Sequence, residues 1–201
     1  MPRPRTVEDE QILAAAAQAV AAVGPAHLTL ADVGTRVGLS TATLLQRFGS
    51  KRGLLLALAS HGADAMPDRI RDAAKADDPL AALVAVLAEF AASVSTVAEY
   101  ANHLSFLLMD LSDPDFQGIT RRHARAVRAA IEDVLTAAAG RGRELPDVPV
   151  AQLAQVVHVV YNGALVTWGM DPRGSAQKAV VGALSAVLPS TATTVSRRRR
   201  R

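Results

Sequence analysis

The sequence predicts an all-α protein, with an N-terminal head of three helices that contains a helix-turn-helix, followed by a larger helical C-terminal domain. Three observations predict it. Half of the 201 residues are hydrophobic but only 3% are aromatic, so the core has to be assembled from Ala, Val and Leu, which suit closely packed helices. Strand-type alternation with Thr, Tyr and Ile is nearly absent. Residues 29–58 combine capping residues with short apolar stripes in the manner of two short helices, a tight turn and a third helix start.

The first helix is expected over residues 7–23, capped by Thr6 and carrying Ile12, Ala16, Val20 and Val23 on one stripe. Gly24-Pro25 closes it. Arg3 and Arg5 ahead of this apolar stretch superficially suggest a secretory leader, but Glu8, Asp9 and Glu10 fall where a leader wants positive charge. In the first turn of an ordinary helix the same carboxylates meet the positive end of the dipole. Thr29 then caps a helix with Leu30, Val33 and Val37 on one face, and Gly38 supplies the positive-φ residue that ends it. Leu39 is the buried pin of the turn. Ser40 caps a second short helix whose apolar residues Leu44 and Phe48 lie four apart, leaving Thr41, Ala42, Thr43, Leu45, Gln46 and Arg47 to face outward. One side anchors in a small core while the other offers short residues and donors, the division of labour a helix-turn-helix requires to enter a groove of DNA. Ser50 caps the next helix, which carries Leu54, Leu55 and Leu58 and is expected to bend or stop near Pro67.

In the C-terminal domain, Asp77-Asp78-Pro79 starts a helix running to about residue 95, and a further helix carries Tyr100 to Met109 until Asp113-Pro114 breaks it. Residues 115–139 form a long amphipathic helix with Val127, Ile131, Val134 and Ala138 inward, followed by a loop from Gly140 to Pro149. Helix 150–169 is apolar on two sides. Leu153, Val156, Val160 and Gly163 make one stripe and Val157, Tyr161, Ala164 and Trp168 the other. Such a helix needs two partners, so it and helix 174–188 are expected to face their own core on one side and a second subunit on the other. The resulting division is 1–60 for the head, 61–190 for the ligand-binding and dimerisation domain, and 191–201 for a disordered Arg-rich tail.

Arg197 to Arg201 supply more than the whole net charge of +3, so the remainder is mildly acidic and any contact with nucleic acid has to be local. Cys is absent, which excludes disulfides, thiol catalysis and cysteine-based zinc sites and suits a reducing cytoplasmic address. No apolar run approaches the roughly 20 residues that span a bilayer. The stretch from Leu153 to Met170 comes nearest, punctuated by Gln155, His158 and Asn162, and no membrane partner is expected. Catalysis has no motif to rest on, with no His-Glu-x-x-His, no Gly-x-Ser-x-Gly and no phosphate-binding loop. No enzyme activity, cofactor or metal site is expected.

Residues 8–60 resemble the tetracycline-repressor (TetR) family of helix-turn-helix regulators. Thr29, Val33-Gly34, Val37-Gly38-Leu39-Ser40, Ala42, Leu44, Phe48, Lys51 and Leu54-Leu55 fall at that family's spacing, and Tyr161-x-Gly163-x-x-x-x-Trp168 is like the pattern of many of its C-terminal domains. Where the family usually has Ala this chain has Gly34, which is expected to loosen the first helix of the motif; where it commonly has Tyr, and His or Tyr, this chain has Leu45 and Arg47. The resemblance implies a homodimer with its heads in successive major grooves of a pseudo-palindromic operator, about 34–36 Å apart. It also implies repression relieved by a small, largely apolar effector in the C-terminal domain. Lys51 and Arg47 are then candidates for phosphate contact, Thr41, Thr43 and Gln46 for base edges, with Thr29, Ser40, Ala42 and Leu45 completing the DNA-binding set. Arg3 and Arg5 are candidates for a mobile arm.

Large side chains concentrate in the C-terminal domain. Phe90, Tyr100, His103, Phe106, Leu107, His158, Tyr161, Asn162 and Trp168 are the candidate lining of an effector pocket, against the plainer reading of core and dimer packing. For His158 alone a satisfied buried histidine is the preferred reading. Arg121, Arg125 and Arg128 read as a solvated face. A rival function on the same fold is an adapter that binds a protein partner without operator DNA.

Overall fold

In a computed structural model the described residues are 7–189, so Thr6, the Arg3 and Arg5 arm and the tail from residue 190 lie outside them. Ten helices and no strand occur among them. The head comprises α1 (Asp9–His27), α2 (Leu30–Val37), α3 (Thr41–Phe48) and the start of α4 (Lys51–Gly62). The rest is α5 (Ala65–Ala73), α6 (Pro79–Ala92), α7 (Val97–Ser112), α8 (Pro114–Gly140), α9 (Val150–Met170) and α10 (Ala176–Val187).

Short polar residues stand at nearly every helix start. Thr29, Ser40, Ser50, Asp78, Thr96, Asp113 and Ser175 all accept a backbone N–H in the first turn of α2, α3, α4, α6, α7, α8 and α10. α1 departs from expectation at both ends. Its N-cap is Glu8, whose N–H donates to Gln11 Oε1 at 3.3 Å. Gly24, at φ 77°, breaks the regular helix as predicted, but Pro25 restarts one more turn, which carries α1 to His27 and leaves Val23 43% exposed rather than on the buried stripe.

The break between α4 and α5 comes earlier than Pro67, at Ala63-Asp64. Proline is tolerated in the first turn of a helix, and Pro67 sits there, buried, in α5. Lacking an N–H, it cannot bond the carbonyl four residues back, that of Ala63. His123 Nδ1 of α8 takes that oxygen at 2.6 Å and must carry the proton to do so.

Two apolar clusters result. The head cluster contains Ile12, Ala16, Val20, Leu28, Val33, Leu44, Leu54 and Leu55, and it takes in Phe116 from α8 with Phe106 and Met109 of α7 packed against it. The larger cluster joins α5, α6, α8, α9 and α10 with Tyr100 of α7, and Val127, Ile131, Val134 and Ala138 of α8 are fully inward as the periodicity predicts. On α9, Leu153, Ala154, Val157, Tyr161, Leu165 and Trp168 are buried, whereas Val156, Val159 and Gly163 remain exposed. By length and composition α9 does reach what a membrane span needs, contrary to the sequence expectation. Here it packs between α8 and α10.

Candidate functional site

The helix-turn-helix is held by its own caps. The Asp32 N–H donates to Thr29 Oγ1 at 3.1 Å, and the Thr29 N–H and hydroxyl donate back to Asp32 Oδ2 at 3.0 and 2.6 Å. Those bonds hold the Asp32 carboxyl below the usual range, and they engage the Thr29 hydroxyl within the cap. At the turn, Gly38 adopts φ 71° and ends α2. Gly34 does not loosen the motif. A Cβ there would lie 2.5 Å from the Leu39 carbonyl oxygen, so its bare Cα is what lets the turn fold back on α2, sealed by the Leu39 N–H donating to the Gly34 carbonyl at 2.9 Å.

On α3, Leu44 is fully buried and Phe48 half-buried, which turns the opposite side outward. Thr41, Ala42, Leu45 and Gln46 are exposed, with Leu45 at 44%. Ser40 is occupied as the cap, accepting the Thr43 N–H at 3.1 Å, and its hydroxyl meets the Thr43 hydroxyl at 2.9 Å. Both candidate phosphate ligands have internal partners. Arg47 Nη1 donates to the Val7 carbonyl at 2.6 Å and to Asp9 Oδ1 at 3.0 Å, while Lys51 Nζ donates to the Ala26 carbonyl at 2.7 Å.

The aromatic candidates of the C-terminal domain separate into two places. Tyr100 and Trp168 meet edge to face with centroids 6.3 Å apart, and Tyr161 shares their cluster; burial, reinforced by Tyr100, pushes its phenol up to about 12. Phe106 instead packs edge-on against Phe116, 6.1 Å away, on the head side. His103 and Leu107 are exposed on α7, Phe90 is half-buried on α6, and Asn162 is exposed on α9, donating to the His158 carbonyl at 2.9 Å. Half-buried His158 is held below the usual imidazole range by desolvation and then by Arg128 and His123. An open cavity of about 330 Å³ lies between α9 and α10, lined by Ala164, Thr167, Trp168, Asp171, Arg173, Ala179 and Ala183. It shares only Trp168 with the candidate lining.

Sequence reasoning missed a junction between the two clusters. Arg52 donates through Nε and Nη2 to both carboxylate oxygens of Asp113 at 3.0 and 2.8 Å, and through Nη2 to Asp115 at 2.7 Å, with its guanidinium 5.7 Å from the Phe116 ring centroid. Hydrogen bonding from Arg52 holds Asp113 below its usual range. Asn102 Nδ2 donates to the Ala21 carbonyl at 2.8 Å and ties α7 to α1. No periodicity flags contacts between residues 61 to 81 positions apart. The one local signal was Asp113-Pro114, which announces a helix start and nothing about its partner.

With this geometry in place, family comparison gives two matches. Residues 12–58 match the family of bacterial regulatory proteins, tetR family, and residues 79–192 match the C-terminal domain of BetI-type transcriptional repressors. No curated protein matches the chain by sequence. Among solved structures, the chain is similar to SmeT, the repressor of the Stenotrophomonas maltophilia multidrug efflux pump SmeDEF, at 20% identity and TM-score 0.68 over 90% of this chain and 88% of that one. SmeT is also known in complex with triclosan. Reduced NemR of E. coli gives TM-score 0.72 at 16% identity, over 92% and 98% of the two chains. FadR of Bacillus subtilis in complex with stearoyl-CoA gives 0.69 at 15%, over 90% and 98%.

Proposed function

This chain belongs to the tetR family of bacterial regulatory proteins and is a transcriptional regulator, not an enzyme, and from that premise we propose that it is a cytoplasmic repressor. As a homodimer it binds a pseudo-palindromic operator and leaves it when a small, largely apolar effector occupies the C-terminal domain. The observation that carries the reading is α3 itself: a helix anchored by one fully buried leucine, capped by Ser40, with Thr41, Ala42, Leu45 and Gln46 turned to solvent and Lys51 starting the helix behind it. On DNA, Arg47 and Lys51 exchange their internal carbonyl and carboxylate acceptors for phosphate oxygens, while Thr41, Thr43 and Gln46 address base edges and Thr29, Ser40, Ala42 and Leu45 fill the approach.

Dimerisation through α9 and α10 is supported by the apolar residues left uncovered there, Val156, Val159, Met170 and Val181. An extra Cβ at Gly163 or Gly182 would meet nothing within 4 Å, so both stand open for a close partner. For the effector, the cluster of Tyr100, Tyr161 and Trp168 supplies an apolar wall with two hydroxyls; of the remaining candidates, Phe90, His103, Leu107, His158 and Asn162 lie on α6, α7 and α9 outside that cluster, and Phe106 packs toward the head. Triclosan on SmeT and stearoyl-CoA on FadR are ligands with large apolar parts, which supports the same class here. Release requires that the effector favour a conformer whose heads are wrongly spaced, since equal affinity for both would shift nothing.

Nuclease footprinting on the region upstream of the protein's own gene, at two salt concentrations, tests the reading. A protected two-fold symmetric site is expected, and Lys51→Ala or Arg47→Ala should each flatten the salt dependence by about one unit. Lack of protection there and in genomic fragment selection would overturn it in favour of a protein-binding adapter.

A further inference from the structure

Resting on the DNA-binding reading above, we infer that the exposed face of α3 reads thymine methyl groups and adenine, so that each operator half-site is A·T-bearing beneath Leu45 and Gln46. Positions 41, 42, 45 and 46 are related by steps of three, four and one, and they therefore form one continuous patch on the helix. What the patch offers is methyl surface: the Thr41 and Ala42 methyls and a leucine side chain left 44% exposed although a fully buried leucine stands beside it. Apolar contact with the C5-methyl of thymine is the one apolar readout the major groove provides.

Guanine is read chiefly by a guanidinium or ammonium directed at its O6 and N7. Arg47 is the only cation on α3, and it projects from the side opposite the patch, its guanidinium on Val7 and Asp9 beside the start of α1 and, in the bound form proposed above, on phosphate. Thr43, half-buried and sharing its hydroxyl with the Ser40 cap, stands at the edge of the patch as a short secondary base contact. Gln46 remains as the long polar side chain of the patch. It is exposed, makes no side-chain hydrogen bond among the described residues, and its amide matches the paired donor and acceptor of adenine N6 and N7. The face therefore combines methyl-sensing surface with one adenine-type amide and lacks a guanine-type cation.

Uracil in place of thymine removes the methyl and leaves base pairing intact, which gives a direct test. Duplexes enriched from a random pool by the full-length protein are resynthesised with deoxyuridine at one thymine at a time, and dissociation constants are measured for wild type and Leu45→Ala. The expected result is an enriched half-site containing A·T pairs and a loss of about fourfold in wild-type affinity at one or two thymines, the value of one buried methyl group. Leu45→Ala should bind the thymine duplex about fourfold more weakly and no longer distinguish the two bases at that position. Because Leu45 is exposed, this variant keeps the fold, which its helix content verifies. Gln46→Ala should lose discrimination for adenine at the neighbouring pair by about fivefold or more. Uniform indifference to uracil, enrichment of guanine at the contacted positions, or an unchanged uracil response in Leu45→Ala would overturn the inference while leaving operator binding intact. Failure to enrich any duplex would overturn the DNA-binding reading and this inference with it.

Discussion

Gly34→Ala places a methyl group 2.5 Å from the Leu39 carbonyl oxygen, well inside the 3.4 Å at which ordinary contact begins. A flexible side chain would swing aside, but this oxygen belongs to the backbone of the turn, and moving it stretches the bond from the Leu39 N–H to the Gly34 carbonyl. Alanine in a helix interior is favoured over glycine by about 1 kcal/mol. Against this, overpacking costs about 1–3 kcal/mol and the strained hydrogen bond about 1 kcal/mol more. The net effect is a destabilisation of about 1–3 kcal/mol, or about 2–12 °C in the thermal midpoint of a chain this size. Gly118→Ala in α8 is the matched reference. Its added carbon meets nothing closer than the Arg122 guanidinium at 4.0 Å, so the helix preference alone acts and the midpoint should rise slightly. Thermal melts followed by far-ultraviolet circular dichroism compare the two. A Gly34→Ala protein that melts at or above wild type, in step with Gly118→Ala, would show that the turn tolerates the methyl and refute the close approach.

Three further outcomes follow from burial and exposure. Leu44→Ala empties the centre of the head cluster and should destabilise it by about 2–5 kcal/mol, measured by denaturant unfolding, with loss of operator binding. Tyr161 keeps its proton to about 12 when folded, whereas an unfolded chain releases it near 10.0, so its contribution is complete below pH 10 and lost as pH rises between those values. Tyr161→Phe should remove that part of the alkaline destabilisation and the corresponding high-pH tyrosinate step in ultraviolet absorbance. Val159→Arg introduces a charge into the proposed dimer face and should weaken dimerisation by about tenfold or more in sedimentation equilibrium, equivalent to about 1.4 kcal/mol; an unchanged dimer would place the interface elsewhere.

Local chemistry made the head legible. Thr29, Ser40, Ser50 and Gly38 act within one helical turn of their own positions, so their residue types announce the boundaries of α2, α3 and α4. Inward positions of α8 were equally readable from a 3.6-residue period, because Val127, Ile131 and Val134 needed no knowledge of their partners. Pro67 misled because a proline both breaks a helix and fits its first turn, and only the tertiary bond from His123 to Ala63 shows which applies. Periodicity likewise brings Tyr100, Tyr161 and Trp168 inward without saying whether the space among them is filled, and an edge-on ring pair occupies part of it. Gly34 shows a similar limit. Helix propensity argues against glycine there, but the reason for it is a carbonyl five residues away, across a turn that propensity does not describe.

Under the proposed function, an effector held in the C-terminal domain has to act on the head through the contacts between α8 and α4. The first turns of α8 contact α4 near both ends: Asp113 and Asp115 hold Arg52, one residue past Lys51, and His123 holds the carbonyl of Ala63, just beyond α4's last turn. At a rise of about 1.5 Å per residue, both spans cover about 15 Å, so the helices run alongside one another in the same direction. In the proposed mechanism a displacement of α8 would be delivered to α4 and to Lys51 through these contacts, with Phe116 anchored in the head cluster as the apolar part of the joint. Exposed ion pairs are individually weak, so Arg52 sets register while Phe116 supplies most of the adhesion. Asp113 separates these roles by pH. Its folded value lies below the ordinary 3.8, so the stabilisation it gains from Arg52 is present above that pH and lost as pH falls through the lower folded value. Arg52→Gln should thus be less stable than wild type at neutral pH, with the gap closing as pH falls below 3.8. Amide exchange at the start of α8 should quicken in the variant at neutral pH while the body of α9 is unaffected. A gap that stays constant across that pH range would mean that Arg52 stabilises the chain by packing alone, and that the carboxylates of α8 do not grip α4.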